Sequence, residues 1–401
     1  MVLPPLSMAA VTIALSCGYV LLASTAPVSG LAIIDVTTSR VGGSVAFLTG
    51  KCVTAFAIAS KFGRTQTTCG GRPAIARGMT MVTSSAMKAR RKQNVDGNLF
   101  VDESCIDCDT CRWMQGRTFA SAGGKSAVIH QPETEEERRG AYRAMVACPT
   151  GSIRLESPDP LVKDAQNDFP CPVDEKRLPG IFHLGFHSTK SYGCSPWFVA
   201  REAGNIMMDS PRFNGKLAKT LEERGGLSYM IISHIDDVAD HQRWKDRFPE
   251  MRRVMHKADV EPYGDTSNVE VQLDSSSADG QMSGMDYWDL DDDMRILHTP
   301  GHSRGSVTFL YRTSGGFQDS KGVAFTGDHL ALSGRTGALT GFPRYGWNHQ
   351  LQGESMEVLA TSDVRFRWIL PGHGRMMHFS DDDDRISQIR VAASNIKAGR
   401  S

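Results

Sequence analysis

The first pattern along the chain is an uncharged apolar run at residues 8–26 (MAAVTIALSCGYVLLASTA). Its length is close to one membrane span, so it predicts either a signal-peptide core or a retained anchor. Residues 40–92 have no apolar period. They are rich in Ser, Thr, Ala and Arg and end in the basic run Lys88, Arg90, Arg91, Lys92. Further on, residues 127–130 read as a short strand and 133–147 as a helix, with Pro132 near its start. Glu133, Glu135, Glu136 and Glu137 sit where the helix dipole favours acids, and Tyr142 and Met145 share one face. Ile153–Leu155 predicts a closing strand, and the aperiodic, Pro- and Asp-containing stretch 158–179 reads as a linker.

From about residue 180, short apolar runs alternate with turns. Trp197–Val199 and residues 205–208 predict buried strands. Residues 216–223 predict a helix stopped by Gly225 and Gly226, and 227–232 another strand. Strands alternating with helices imply a layered α/β architecture. The Ser/Asp/Gly-rich stretch 274–284 reads as a surface loop, 289–293 as a solvated turn, and 381–384 as the acidic start of the last helix.

Charge changes the picture at the N-terminus. The 45 acidic and 45 basic residues balance overall, which gives no net-charge argument for nucleic acid or a membrane surface. Yet residues 1–95 hold one acid, Asp35, against ten Lys and Arg, leaving 44 acids and 35 bases beyond them. A cationic, acid-poor leader on an acidic body is the pattern of a targeting segment. The signal core followed by a transit-like stretch resembles the bipartite leaders of algae with complex plastids. That resemblance implies a plastid protein, in the stroma, whose mature form is not in the membrane.

Nine cysteines do not follow the usage of a disulfide-stapled secreted domain. Cys17, Cys52 and Cys69 fall in the leader; Cys171 and Cys194 have no informative spacing and read as small buried hydrophobes. The remaining four form a group. Cys105, Cys108 and Cys111 stand at C-x2-C-x2-C, which lets three thiolates converge on one corner of a cluster. Cys148, followed by Pro149, supplies a fourth ligand; zinc sites more often pair two C-x2-C units or mix in His. Residues 98–158 resemble single-cluster ferredoxins, and the resemblance implies one [4Fe-4S] cluster.

A second constellation lies at the ends of apolar runs. They deliver His234-Ile-Asp236-Asp237-Val-Ala-Asp240-His241, then Pro300-Gly301-His302, Thr326-Gly327-Asp328 and Pro371-Gly372-His373-Gly374. Loops held by a rigid sheet are where metal ligands belong. Taken in order over residues 180–380, these motifs resemble the metallo-β-lactamase superfamily, including glyoxalase II-like hydrolases and flavodiiron proteins. The resemblance implies that His234 and His302 bind a first metal, Asp240, His241 and His373 a second, and that Asp328 bridges the two. The superfamily pattern is His-x-His-x-Asp-His. Here Asp236 takes the second His position and two extra residues precede Asp240-His241. A carboxylate there tilts preference from zinc toward iron or manganese; Asp237 is the alternative ligand to Asp236. Asp209 is placed to orient a metal-binding His, and His329 is either a neighbour of the ligands or a packed structural residue. His183 and His187 read as loop histidines, in solvent or at the mouth of the site.

The fold class so implied is α+β. A leader at 1–95 precedes a small ferredoxin-like domain at 96–158, a linker at 159–179, and an αβ/βα four-layer sandwich at 180–401. Three functions follow. One is a metal-dependent hydrolase, with one or two divalent metals (Zn, Fe or Mn), Asp240 orienting water against a small-molecule substrate, and the cluster as sensor or staple. A second is an oxidoreductase passing electrons from the cluster to a non-haem iron site, served by a redox partner protein. A third is a non-catalytic redox sensor.

Overall fold

The computed structural model describes residues 12–16, 19–23, 89–312 and 322–400. The chain divides into two compact units, Met1–Met81 and Val82–Ser401. In the first, Thr12–Ser16 and Tyr19–Ala23 pair antiparallel within the apolar run. The transit-like stretch lies outside the described residues as far as residue 88. Among the described residues, no helix is long and apolar enough to cross a membrane.

The second unit begins with the cysteine-bearing segment. Leu99–Val101 pairs antiparallel with Ile153–Leu155, and Phe119–Ala122 with Lys125–Val128. The helix runs Glu135–Ala147, two residues later than expected. Thr134 caps it, accepting from the Glu137 N–H while the Glu137 carboxylate accepts from the Thr134 N–H. Tyr142 is buried in this small core, with Leu99, Phe119 and Val128. Two expected boundaries shift. Arg91 is not leader: its buried guanidinium donates to the Ser126 and Ala122 carbonyls, and Arg90 pairs with Glu156. Nor is 159–179 a linker. Leu161–Asn167 is a helix whose Ala165 joins the same core, Asp168 pairs with Arg139 and Arg143, and Cys171–Asp174 is a strand.

That strand is the edge of the first of two seven-stranded sheets. In order, the first sheet is Val271–Leu273, Arg252–His256, Tyr229–Ile231, Ile206–Met208, Trp197–Val199, Leu178–His183 and Cys171–Asp174. The second is Gly280–Met282, Met285–Asp291, Met294–His298, Val307–Tyr311, Val323–Gly327, Trp368–Pro371 and Met377–His378. The expected loop at 274–284 and turn at 289–293 therefore supply outer strands of this sheet; Asp289 pairs with Arg295 and Asp291 with Arg201.

Side chains alternate across the strands, and the alternation builds the layers. Trp197, Val199, Ile206, Met208 and Ile231 face Ile296, Phe309, Phe325 and Leu370 between the sheets. Phe198, Met207 and Met230 point outward under the helices Gly215–Glu223 and His241–Arg247. Leu297, Leu310 and Ile369 point outward under His349–Leu359 and Asp382–Lys397. The architecture is helix, sheet, sheet, helix: an αβ/βα sandwich.

The cysteine segment packs onto this sandwich. Val146 and Ala147 enter its outer apolar layer, and Trp113 stacks edge-on against His183 at 5.1 Å. His183 and His187 are therefore buried rather than exposed, with their Nε2 atoms 2.7 Å apart. Ion pairs and hydrogen bonds cross the join: Arg375 with Asp109 at 2.7 Å, and Arg212 donating to the Val146, Cys148 and His187 carbonyls.

Candidate metal centre

Cys105, Cys108, Cys111 and Cys148 are all free and line one cavity, with Thr110, Ser126, Thr150 and Ser152 around them. Burial pushes the Cys108 thiol up to about 11 and raises Cys111 still further. Burial of Cys108 and Cys111 disfavours their anions, a cation among the four sulfurs would relieve this, and cluster iron is one. Thr110 Oγ1 lies 3.4 Å from the Cys108 sulfur and 3.2 Å from His187 Nδ1. The residues fit the cluster.

The His/Asp centre forms at one edge of the sandwich because its strands run parallel there. Ile206–Met208 and Tyr229–Ile231 are parallel neighbours, as are Val323–Gly327 and Trp368–Pro371. Their C-terminal ends deliver Asp209, His234, Asp328 and His373. Gly327 makes the approach possible: at φ +50 it faces Ser233, and a Cβ there would stand 2.5 Å from the Ser233 side chain.

Two groups of donors share Asp328. His234, His302 and Asp328 offer donor atoms within 4.8 Å of one another, and so do Asp237, Asp328 and His373. His302 Nε2 is 3.6 Å and His234 Nε2 4.0 Å from Asp328 Oδ2, while His373 Nδ1 is 2.7 Å from Asp328 Oδ1. Asp328 thus stands between the two groups, with one oxygen toward each. Burial opposes charge on both members of the His373–Asp328 pair. Their mutual attraction overcomes it, raising His373 to about 10 and holding Asp328 well below the usual carboxylate range. Burial lowers His234 to about 3.

The fit to metal rests on unpartnered atoms. Among the described residues, His234 Nε2, His302 Nδ1, His373 Nε2 and both Asp237 oxygens are buried without a hydrogen-bond partner. Buried polar atoms are rarely left so, and several converging orphans mark a ligand position. Burial and the carboxylates of Asp209 and Asp328 push Asp237 well above its ordinary value, a repulsion that a cation would relieve.

Three expected ligands are placed elsewhere. A 3-10 turn at Ile235–Asp237 sends Asp237 inward, fully buried and 3.5 Å from His234, and leaves the Asp236 side chain 54% exposed at the open side. The alternative ligand is the inward one, and Asp236 stands at the mouth. The two extra residues carry Asp240 away: its carboxylate accepts from Lys190 at 2.7 Å and from the Phe213 N–H at 2.8 Å. His241 opens the helix His241–Arg247 and accepts at Nδ1 from Arg253 at 3.0 Å. Neither joins the donor groups. Asp209 accepts from the Ser233 N–H at 2.8 Å and so steadies the His234 loop backbone rather than a His ring. His329 is packed, with both ring nitrogens buried and unpartnered. The residue that spacing missed is Cys194, grouped with Asp209 and Asp237 in the interior.

Comparison with known proteins bears on the two halves differently. Residues 101–155 match the family described as the 4Fe-4S single cluster domain of Ferredoxin I. The chain carries a ferredoxin-type 4Fe-4S segment. All four cavity cysteines fall within the match. No curated protein matches the sequence. Among solved structures, the chain is similar to metallo-β-lactamase FIM-1 from Pseudomonas aeruginosa in its mono-zinc form. That likeness has TM-score 0.40 and 14% identity, covering 55% of this chain and 93% of that one. It is also similar to an archaeal metallo-β-lactamase superfamily protein from Sulfolobus tokodaii, with TM-score 0.34, 15% identity and coverage of 53% and 85%.

Proposed function

We propose that this protein is a metal-dependent hydrolase of the metallo-β-lactamase kind, with a tethered iron–sulfur module and a small-molecule ester, thioester or amide as substrate. The observation that carries the reading is the pair of donor groups meeting at Asp328, with five buried donor atoms left unpartnered. Metal ions bound there would supply Lewis-acid activation of water and of a substrate oxygen. His234 and His302 hold the first position and Asp237 and His373 the second, with one Asp328 oxygen turned toward each. With Asp240 held away by Lys190 and the Phe213 N–H, Asp236 would be the carboxylate to orient that water and take its proton. Its half-exposed carboxylate stands 3.9 Å from His234 at the open side, and burial raises it above its ordinary value.

The test uses the full chain purified without oxygen, elemental analysis, and a panel of esters, thioesters and amides. Asp328→Asn and Asp237→Asn are expected to lose the non-cluster metal and turnover while keeping four irons per chain. His241→Gln is expected to keep both. Hydrolysis that survives Asp328→Asn overturns the proposal.

A second reading, electron transfer from the cluster to an iron held by the His/Asp residues, is favoured by one strap. In Tyr192-Gly193-Cys194, the Tyr192 backbone lies against His373, a Cβ on Gly193 would stand 3.4 Å from the Cys108 sulfur, and Cys194 Sγ lies near Asp209. Summing bond lengths along that step puts the two sulfurs within about 12 Å of each other. Carboxylate-rich donors also suit iron, and an electron-carrier protein would be the partner. Mössbauer spectra counting iron beyond the four of the cluster test it; zinc alone in the second centre overturns it. A plastid stroma belongs to the same proposal, and tracking a fluorescent fusion of the full chain tests it.

A further inference from the structure

We propose that Cys194 is a thiolate ligand of the second metal position, beside Asp237, Asp328 and His373. The inference rests on reading those three as ligands, and it deepens that reading by naming the missing donor. In the resemblance, the second position takes a histidine at 241, but His241 is held by Arg253. One donor is therefore lacking, and the strap brings a sulfur to the place.

The geometry is specific. A Cβ built on Gly372 would lie 2.9 Å from Asp237 Oδ2, 3.1 Å from Cys194 Sγ and 3.2 Å from Asp328 Oδ1. Three donor atoms surround one point that only a glycine at 372 leaves open. The Cys194 backbone is fixed on both sides: its N–H donates to the Ser191 carbonyl at 2.8 Å, and the Ser195 N–H donates to the Gly372 carbonyl at 2.7 Å. The second, independent sign is Asp237, fully buried, with neither oxygen partnered among the described residues.

The bland reading of Cys194 is a small buried hydrophobe. Such a side chain has no reason to lie among carboxylates. The Cys194 thiol faces two carboxylates, Asp237 and, at 3.9 Å, Asp209 Oδ2, which already accepts from the Ser233 N–H. Asp237 belongs both to the group with Asp328 and His373 and to the group with Cys194 and Asp209, so a cation drawn to Asp237 would meet carboxylate, imidazole and thiolate donors, a mixture that suits zinc or iron and disfavours manganese and magnesium.

Zinc-edge X-ray absorption of the zinc-loaded full chain, with four irons per chain retained, tests the proposal without an activity assay. The expected result is a sulfur neighbour at about 2.3 Å together with nitrogen and oxygen at about 2.0–2.1 Å. Cys194→Ser is expected to remove the sulfur neighbour and to weaken the second zinc by at least about tenfold. Zinc bound by nitrogen and oxygen alone in the unmodified protein overturns the assignment of Cys194, and so does a sulfur neighbour that persists in Cys194→Ser. The spectrum of the unmodified chain decides the matter even if the variant fails to fold. A chain that takes up no zinc overturns the His/Asp reading itself, and this one with it.

Discussion

Arg212→Ala is the most informative perturbation of the join between the cysteine segment and the sandwich. Its guanidinium donates to the Cys148 carbonyl at 2.9 Å, the His187 carbonyl at 3.0 Å and the Val146 carbonyl at 2.7 Å, and lies over the Phe186 ring. Two of these acceptors sit at the end of Glu135–Ala147, where a helix leaves its last carbonyls without intrahelical donors. The third leads into the strap. A hydrogen bond from a charged donor contributes about 1.5–3 kcal/mol, but truncation admits water to the carbonyls and the three losses are not additive. A net loss of about 2–3 kcal/mol is therefore expected. Cluster loss is irreversible, so the proper measure is a rate. With chelator and a fixed, sub-denaturing urea concentration, bleaching of the cluster absorbance should run about 30- to 160-fold faster than in the unmodified chain. Arg212→Lys should recover only part of this, since an ammonium cannot reproduce the guanidinium fork. Bleaching of Arg212→Ala within about twofold of the unmodified rate would refute the claim that this residue ties the cluster segment to the sandwich.

Two further outcomes follow from the structure. Burial alone would raise the Glu270 carboxyl, but the Arg253 side chain and N–H hold it down at about 2. Its contribution, about 1–2 kcal/mol after solvent screening, is full above about pH 4.5 and is lost as pH falls toward 2. Urea midpoints followed by tryptophan fluorescence should drop across that window, and Glu270→Gln should flatten the drop. Gly327→Ala places a Cβ 2.5 Å from Ser233 at a positive φ, so it should cost about 1–3 kcal/mol in thermal stability and displace Asp328. Elemental analysis should find the non-cluster metal depleted; full occupancy would argue that the two loops need no such close approach.

How much of this was legible in the sequence depends on how local each signal was. The cluster ligands were readable because three stand within seven residues and the fourth carries its own Cys-Pro context. The positions of His302, Asp328 and His373 were readable because each follows an apolar run that is a strand. Choosing between Asp236 and Asp237 was not, since the choice depends on whether the backbone after His234 continues extended or turns. It turns, so the motif spacing from His234 that favoured Asp236 no longer fixes which carboxylate faces inward. The helix Leu161–Asn167 does carry a signal, Leu161, Val162 and Ala165 at helical spacing, but it is seven residues long and set among Pro and Asp residues that read as a linker. Cys194 had none, because what singles it out is its approach to Asp237 and Asp328, far away in sequence.

The placement of the strap also bears on why the cysteine segment and the His/Asp residues share one chain. A tether that merely raised the local concentration of an electron donor would leave each part with its own closed surface. Here the surfaces are shared. Asp109, between two cluster cysteines, binds Arg375, two residues after His373. Gly193, at φ +93, lets the strap settle against Cys108 and Pro149, and its neighbour Cys194 turns toward Asp237. Cluster binding is folding free energy for the segment that holds it. Through these contacts part of that free energy stabilises the loops carrying His373 and Cys194. These contacts would let a cluster bound there act on the geometry of the His/Asp residues without any electron passing between them.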